Sequence, residues 1–342
     1  MKLKNLYLGI IASAFLFASC SNDDSAENDT PLGAYDNGVL ILNEGNFGTP
    51  NASVSYLSND FATLQNNIFG LVNSTKVLGD VAQSISFDGD KAFIVINNSN
   101  EVEVVNRYTF ASLKTITEKL EKPRYSVVLN GKLYVTNATS KAITVYDATT
   151  FAYISSISID KTAEKIVAAN GKLYVMNGAY GSGNEVSVVN IATNKVTTIT
   201  VEEGINSIEE KNGSVYVLCG NESKSKLFKI NTTSDTATSI ESTTLKGALN
   251  MDIDGDKIYY TQGTEVYAMN LNATTFSDKS LFSVKDSSWS TFYGFGVING
   301  NIYSGDANGF TADGTVTIYS STGTLLKTVT VGVGPNGFYP NN

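Results

Sequence analysis

Residues 122–159 read KPRYSVVLNGKLYVTNATSKAITVYDATTFAYISSISI. An apolar run, Tyr125–Leu129, meets Asn130-Gly131, the dipeptide best suited to the two positive-φ positions of a type I′ hairpin turn. A second alternating run follows at Lys132–Asn137. A third, Ala142–Asp147, ends on a polar residue, and Ala148–Thr150 then lead into a fourth at Ala152–Ile159. Four short strands joined by tight turns make one small antiparallel sheet, which cannot bury its own faces alone. It needs neighbours of the same kind.

The chain supplies them. The turn signal recurs in DNGVLIL, DGDKAFIV, NGKLYVTN, NGKLYVMN, NGSVYVL, DGDKIYY and NGNIYS. Aligned on Ile41, Phe93, Tyr134, Tyr174, Tyr216, Tyr259 and Tyr303, the copies are spaced by 52, 41, 40, 42, 43 and 44 residues. Each is followed by an alternating third strand, as in VEVVN, VSVVN and VYAMN. A period of about forty residues with four strands per unit predicts an all-β, seven-bladed β-propeller. The first unit lacks an opening strand, and GVGPNGFYP follows the last unit where an eighth opening strand would start. Gly334–Pro340 is therefore expected to complete the first blade and close the ring without leaving a free sheet edge. No segment has the length and periodicity of a stable helix. The aromatic residues at the aligned positions are expected to pack between blades.

The N-terminus reads differently. Lys2 and Lys4 precede the apolar run LYLGIIASAFLF, the pattern of a secretory signal peptide over residues 1–19. Leu16-Phe17-Ala18-Ser19-Cys20 resembles a bacterial lipobox, which implies lipidation of Cys20 and anchoring to a membrane without spanning it. The acidic, small-residue segment 20–37 is expected to be a disordered tether. The folded domain is then 38–342.

The formal charge is −9, and loss of a leader carrying Lys2 and Lys4 makes the mature chain more acidic. Such a surface repels phosphate backbones, so no nucleic-acid partner is expected. The chain has 0 His and 2 Cys. No Ser–His or Cys–His nucleophile and no imidazole metal ligand can be built from it, and Cys219 in VYVLCG reads as a small buried hydrophobe. Asp252, Asp254 and Asp256 alternate like a calcium loop but lack its length and closing Glu. They straddle a turn, so no metal site is expected there.

Units such as 122–159 resemble YncE-type propellers. LNEGNFG…NASVSYLS near the N-terminus and GPNGFY near the C-terminus resemble a family of Bacteroidota cell-surface lipoproteins that includes BtuG. CSNDD likewise resembles the acidic signal that sends lipoproteins of that phylum to the outer face of the outer membrane. The resemblance implies a lipid-anchored outer-membrane protein that captures a small molecule, with cobalamin as the named candidate and an outer-membrane transporter as partner.

Within a blade, the loop between second and third strands shares a face with the start of the inner strand. The longest such loops, NEGNFGTPNAS and GDANGFTADG, belong to the first and seventh blades, which meet at the seam. The fifth and second blades are expected to leave lower rims. Inner strands begin at Gln83-Ser84, Arg124-Tyr125, Glu164-Lys165, Asn206-Ser207, Leu249-Asn250, Phe292-Tyr293 and Asn336. This mix of aromatic, amide and charged groups suits an amphipathic ligand. The candidate ligand-binding residues are Glu44, Asn46, Phe47, Gln83, Arg124, Tyr125, Lys165, Asn206, Asn250, Tyr293 and Asn336. No cofactor and no catalysis are expected, since carboxylates at the strand starts reduce mainly to Glu164. The alternative function is a protein–protein or adhesion module, which would need an exposed apolar patch.

Overall fold

The computed structural model describes residues 31–342 except Thr75 and Tyr180. The leader, Cys20 and the tether up to residue 30 lie outside the described residues. Seven four-stranded antiparallel sheets form the ring, which is a seven-bladed β-propeller. Blades 2 to 7 each use four consecutive strands. Blade 1 has the order Pro335–Asn341, Gly38–Asn43, Ser53–Ser58, Leu64–Gln65. The C-terminal strand pairs antiparallel with Gly38–Asn43, from Gly38 opposite Asn341 to Asn43 opposite Pro335. The ring closes as the repeat count requires.

The hairpin turns follow their sequences. Asn130-Gly131, Asn170-Gly171, Asn212-Gly213 and Asn299-Gly300 all carry positive φ at both residues, as type I′ turns do. At Asp88-Gly89 and Asp254-Gly255 only the glycine is left-handed. There the turn's central pair is Gly-Asp, and the aspartate ends the preceding strand. At the ends of third strands, Asn106, Asp147, Asn190 and Asn231 each accept two backbone N–H bonds from the turn that follows. Short polar side chains that mimic a backbone turn explain why these positions are never apolar.

The core lies between the blades. Seven hydrophobic clusters are formed, one for each interface between neighbours. Phe93, Tyr134, Tyr174, Tyr216, Tyr259 and Tyr303 are all buried and each packs toward the following blade. Blade 1 corrects the sequence alignment. Gly38 sits opposite Ser58, as Lys132 sits opposite Asp147, so the equivalent of the tyrosines is Leu40 rather than Ile41. Leu40 packs with blade 2, whereas Ile41 faces blade 7. Among the described residues no strand precedes Gly38, and its inner partner is Pro335–Asn341, so DNG is not a hairpin turn, and a shift of one residue flips the face.

Two other expectations shift. Leu32–Asn342 is one compact unit, so Leu32–Asn37 belongs to the folded body rather than to the tether. Tyr35 is buried against Tyr56 and Phe110, with ring centroids 5.5 and 6.0 Å away. The lowest rim on the loop face is at blade 6, where Gly263 and Thr264 alone join the second and third strands. Short helical turns occur at Ile68–Val72, Ser288–Ser290 and Asn308–Phe310.

Candidate functional site

The inner strands converge on the central channel, and five of them break register at the loop face. Ala82 pairs with Ile96 and Ser84 with Val95, which leaves Gln83 outside the ladder. Arg124 and Tyr125 are left out between Pro123 and Ser126, and Asn206 between Ile205 and Ser207. The same holds for Asn250 between Leu249 and Asp252, and for Asn336 opposite the shift at Leu42/Asn43. In blade 4, Glu164 and Lys165 both bond to Met176, at 3.1 and 2.9 Å. A β-bulge turns an extra side chain out of the ladder. Repeated around the ring, it gathers polar groups at the channel mouth.

Those groups link the blades in sequence. Asn336 Nδ2 donates to Ala82 O at 2.9 Å, and the Arg124 guanidinium donates to Gln83 Oε1. Arg124 Nε is shared by both Glu164 oxygens at 3.1 and 2.9 Å, and Lys165 pairs with Glu209. Asn206 Nδ2 donates to Ala248 O at 2.9 Å, and the Val297 amide donates to Asp252 Oδ2 at 2.6 Å. The Tyr293 hydroxyl donates to Glu44 Oε2, which crosses the seam from blade 7 to blade 1.

Below this circle lies a cavity of about 560 Å³, within the range that holds a drug-sized ligand. Six of the expected residues line it: Glu44, Gln83, Tyr125, Lys165, Tyr293 and Asn336. Ile85, Val167, Met251, Phe295 and Phe338 supply apolar wall. Phe47 and Arg124 instead line a recess of about 380 Å³ with Lys122 and Glu164. Phe47 is 79% exposed, and Lys122 Nζ lies 5.9 Å from its ring centre.

Three expected residues are engaged in holding the scaffold. Asn46 Nδ2 donates to Phe310 O at 2.8 Å and ties the two long seam loops together. Asn206 bridges Gly204 and Ala248, and Asn250 donates to Thr261 Oγ1 at 3.0 Å. None of the three lines either cavity.

Four residues enter that the sequence reading missed. Glu209 and Asp252 line the cavity from the same register of blades 5 and 6, opposite the buried Tyr216 and Tyr259. Asp252 is therefore a cavity residue rather than part of a turn. The available signal was a charge inside the inner-strand runs NSIEEK and LNMDID. Trp289 and Phe310 stack at 6.0 Å with planes 5° apart, and Phe310 meets Tyr293 edge-on at 5.0 Å. Trp289 is 66% exposed. An aromatic series thus runs from the rim to the cavity mouth.

Burial sets the electrostatics. It raises the carboxyls of Glu44 and Glu164, opposed by the Tyr293 hydroxyl at the first and by Arg124 at the second. Asp252 is pushed up to about 6, by burial first and by the neighbouring Glu209 charge second. Burial disfavours the Lys165 ammonium, yet the Glu209 carboxylate holds its pKa above the usual lysine range. Among the described residues, no group of three or more Asp, Glu or Cys side chains is placed to hold a metal ion.

The fold and this funnel define a seven-bladed propeller with a walled cavity on its loop face. The chain belongs to the family described as a domain of unknown function, DUF5074, matched over residues 37–336. No curated protein matches it. Similar solved structures include a quinonprotein alcohol dehydrogenase-like protein from Bacteroides thetaiotaomicron, with TM-score 0.74 and 14% identity, covering 90% of this chain and 79% of that one. Another is hydrazine synthase from Kuenenia stuttgartiensis, with TM-score 0.60 and 16% identity, covering 77% and 92%. A third is virginiamycin B lyase from Staphylococcus aureus, with TM-score 0.58 and 11% identity, covering 75% and 87%. At these identities the likeness is one of fold.

Proposed function

We propose that the protein is a lipid-anchored, surface-exposed binding protein of the outer membrane that captures a small ligand on its loop face and passes it to a membrane transporter. The observation that carries this is the cavity of about 560 Å³, walled by bulged polar residues and aromatic rings at the channel mouth. Concave, mostly preformed sites with a few convergent polar groups are where small ligands bind. The lipobox-like segment before Cys20 supports the anchor, and the YncE-type, BtuG-related resemblance supports a corrinoid as ligand. A corrinoid is larger than the cavity and would lie across the face, against Phe47 and Trp289. The reading is of a binding protein and not an enzyme. The chain has no histidine, and the one amine in the cavity is held charged by Glu209.

A second reading, a protein–protein module, is favoured by exposed Phe47, Leu249 and Trp289 around the same mouth. One experiment separates the two. The purified protein is heated with corrinoids, haem, glycans and siderophores in turn. A ligand at a hundred times its dissociation constant adds about 2.7 kcal/mol of stability. Stabilisation by a panel member supports capture. No shift with any of them, together with co-purification of a membrane protein, overturns it in favour of the second reading.

A further inference from the structure

Resting on that reading of the funnel as a ligand site, we infer that the group it is built to receive is an organic cation: an ammonium, amidinium or guanidinium on a flat apolar body. The cavity wall carries the carboxylates of Glu44, Glu209 and Asp252 against one ammonium, Lys165. Glu209 already binds that ammonium. The Arg124 guanidinium lies in the neighbouring recess, where Glu164 takes it with both oxygens, and it reaches the cavity wall through Gln83 and offsets part of the Glu44 charge. Asp252 is met by peptide N–H groups, from Val297 at 2.6 Å and Ile253 at 2.8 Å. Of the neighbouring charges, that of Glu209 acts on it more strongly than that of Lys165. Two carboxylates in one register of adjacent blades therefore share a single internal cation, in a site where an unmatched charge is costly.

A second, independent feature points the same way. Five aromatic residues, Tyr125, Tyr293, Phe295, Phe338 and Tyr339, line the cavity. Aromatic faces beside carboxylates attract cations by their quadrupole, and more strongly once water is excluded. The remaining polar atom fits as well. Asn336 lines the cavity, and its Oδ1 is covered and without a hydrogen-bond partner, so a small turn of the side chain would offer a ligand N–H an open acceptor. Several donors in the wall are occupied: Tyr293 by Glu44, Gln83 Nε2 by Tyr125, Asn336 Nδ2 by Ala82, and one N–H of the Lys165 ammonium by Glu209. A wall with three carboxylates against one ammonium selects for a donor-bearing guest. The charge of −9 on the whole chain also draws cations toward it.

The test is a charge series on one aromatic body: tryptamine, tryptophol and indole-3-acetate, titrated calorimetrically into the full protein. Tryptamine is expected to bind at least about tenfold more tightly than tryptophol, with indole-3-acetate weakest. In Asp252→Asn and Glu209→Gln the tryptamine advantage should shrink severalfold while tryptophol binding stays the same. Thermal midpoints of both variants confirm that they fold, and either one suffices if the other does not. Equal binding of tryptophol, preferred binding of indole-3-acetate, or no binding by any of the three overturns the inference. If a neutral or anionic compound from the broader panel still stabilises the protein, ligand capture stands and only the cation assignment falls. If nothing in that panel does, both fall.

Discussion

Asp252 lies on the inner strand of blade 6, where burial and the nearby Glu209 charge push its carboxyl up to about 6. The folded state therefore holds this proton more tightly than the unfolded chain, whose ordinary value is near 3.8. Its contribution to stability is fully present below about pH 4 and is lost as pH rises through about 6. A shift of about two units corresponds to at most about 3 kcal/mol. Between pH 4 and 7 the wild type should thus lose stability, by up to that amount, relative to Asp252→Asn. Urea midpoints at both values check this, and parallel curves would refute it. At this scale the sequence was only partly legible. Gln83, Tyr125, Lys165 and Tyr293 could be placed because each follows the connection into an inner strand. Glu209 and Asp252 could not, because alternation of two residues per period does not say which side of an inner strand meets the channel.

Bulges at the starts of the inner strands decide which side chains reach the mouth, and no sequence pattern announced them. A bulge adds one residue to one strand, and in INSIE or AQSIS nothing in residue type marks the addition. The strands themselves were legible, since Asn-Gly turns and polar third-strand ends are local chemistry. The slip at Leu40 shows the limit. Where the hairpin partner is three hundred residues away, a turn-like DNG aligns one residue out. Asn206 illustrates the dual use of bulged residues. Its side chain bonds Gly204 O and Ala248 O at 3.2 and 2.9 Å, so Asn206→Ala should cost about 1–2 kcal/mol in chemical denaturation. Ligand affinity should not change. Gly220 offers a sterner check, because a Cβ there would lie 2.2 Å from Ala248 O. Gly220→Ala should lower stability by about 1–3 kcal/mol through overpacking between blades 5 and 6.

The ring as a whole was the most legible level, because seven repeats of one unit leave little freedom in architecture. What the repeats did not contain was the latch at the closure. Asn341 is fully buried, and its amide donates to Tyr35 O at 2.6 Å and Arg107 O at 3.0 Å. Arg107 Nε returns a bond to Asn341 Oδ1 at 2.6 Å, while its guanidinium lies 4.0 Å from the Phe87 ring centre. The residues before the first strand, the C-terminal strand and blade 2 are thereby joined at one point. Asn341→Ala should remove about 2–3 kcal/mol, since one buried and two part-buried partner groups lose their bonds. A thermal midpoint unchanged from wild type would show that strand pairing alone closes the ring.

Trp289 gives the most direct view of the funnel. It is the 1 Trp in the chain, and it sits exposed at the rim beside Phe310 and Tyr293. Its emission therefore reports on that face. For any compound that raises the thermal midpoint, titration is expected to shift Trp289 emission and shield it from acrylamide quenching, with the same apparent affinity. A compound that stabilises the protein while leaving both the emission and the quenching of Trp289 unchanged would place the ligand elsewhere and contradict capture on the loop face.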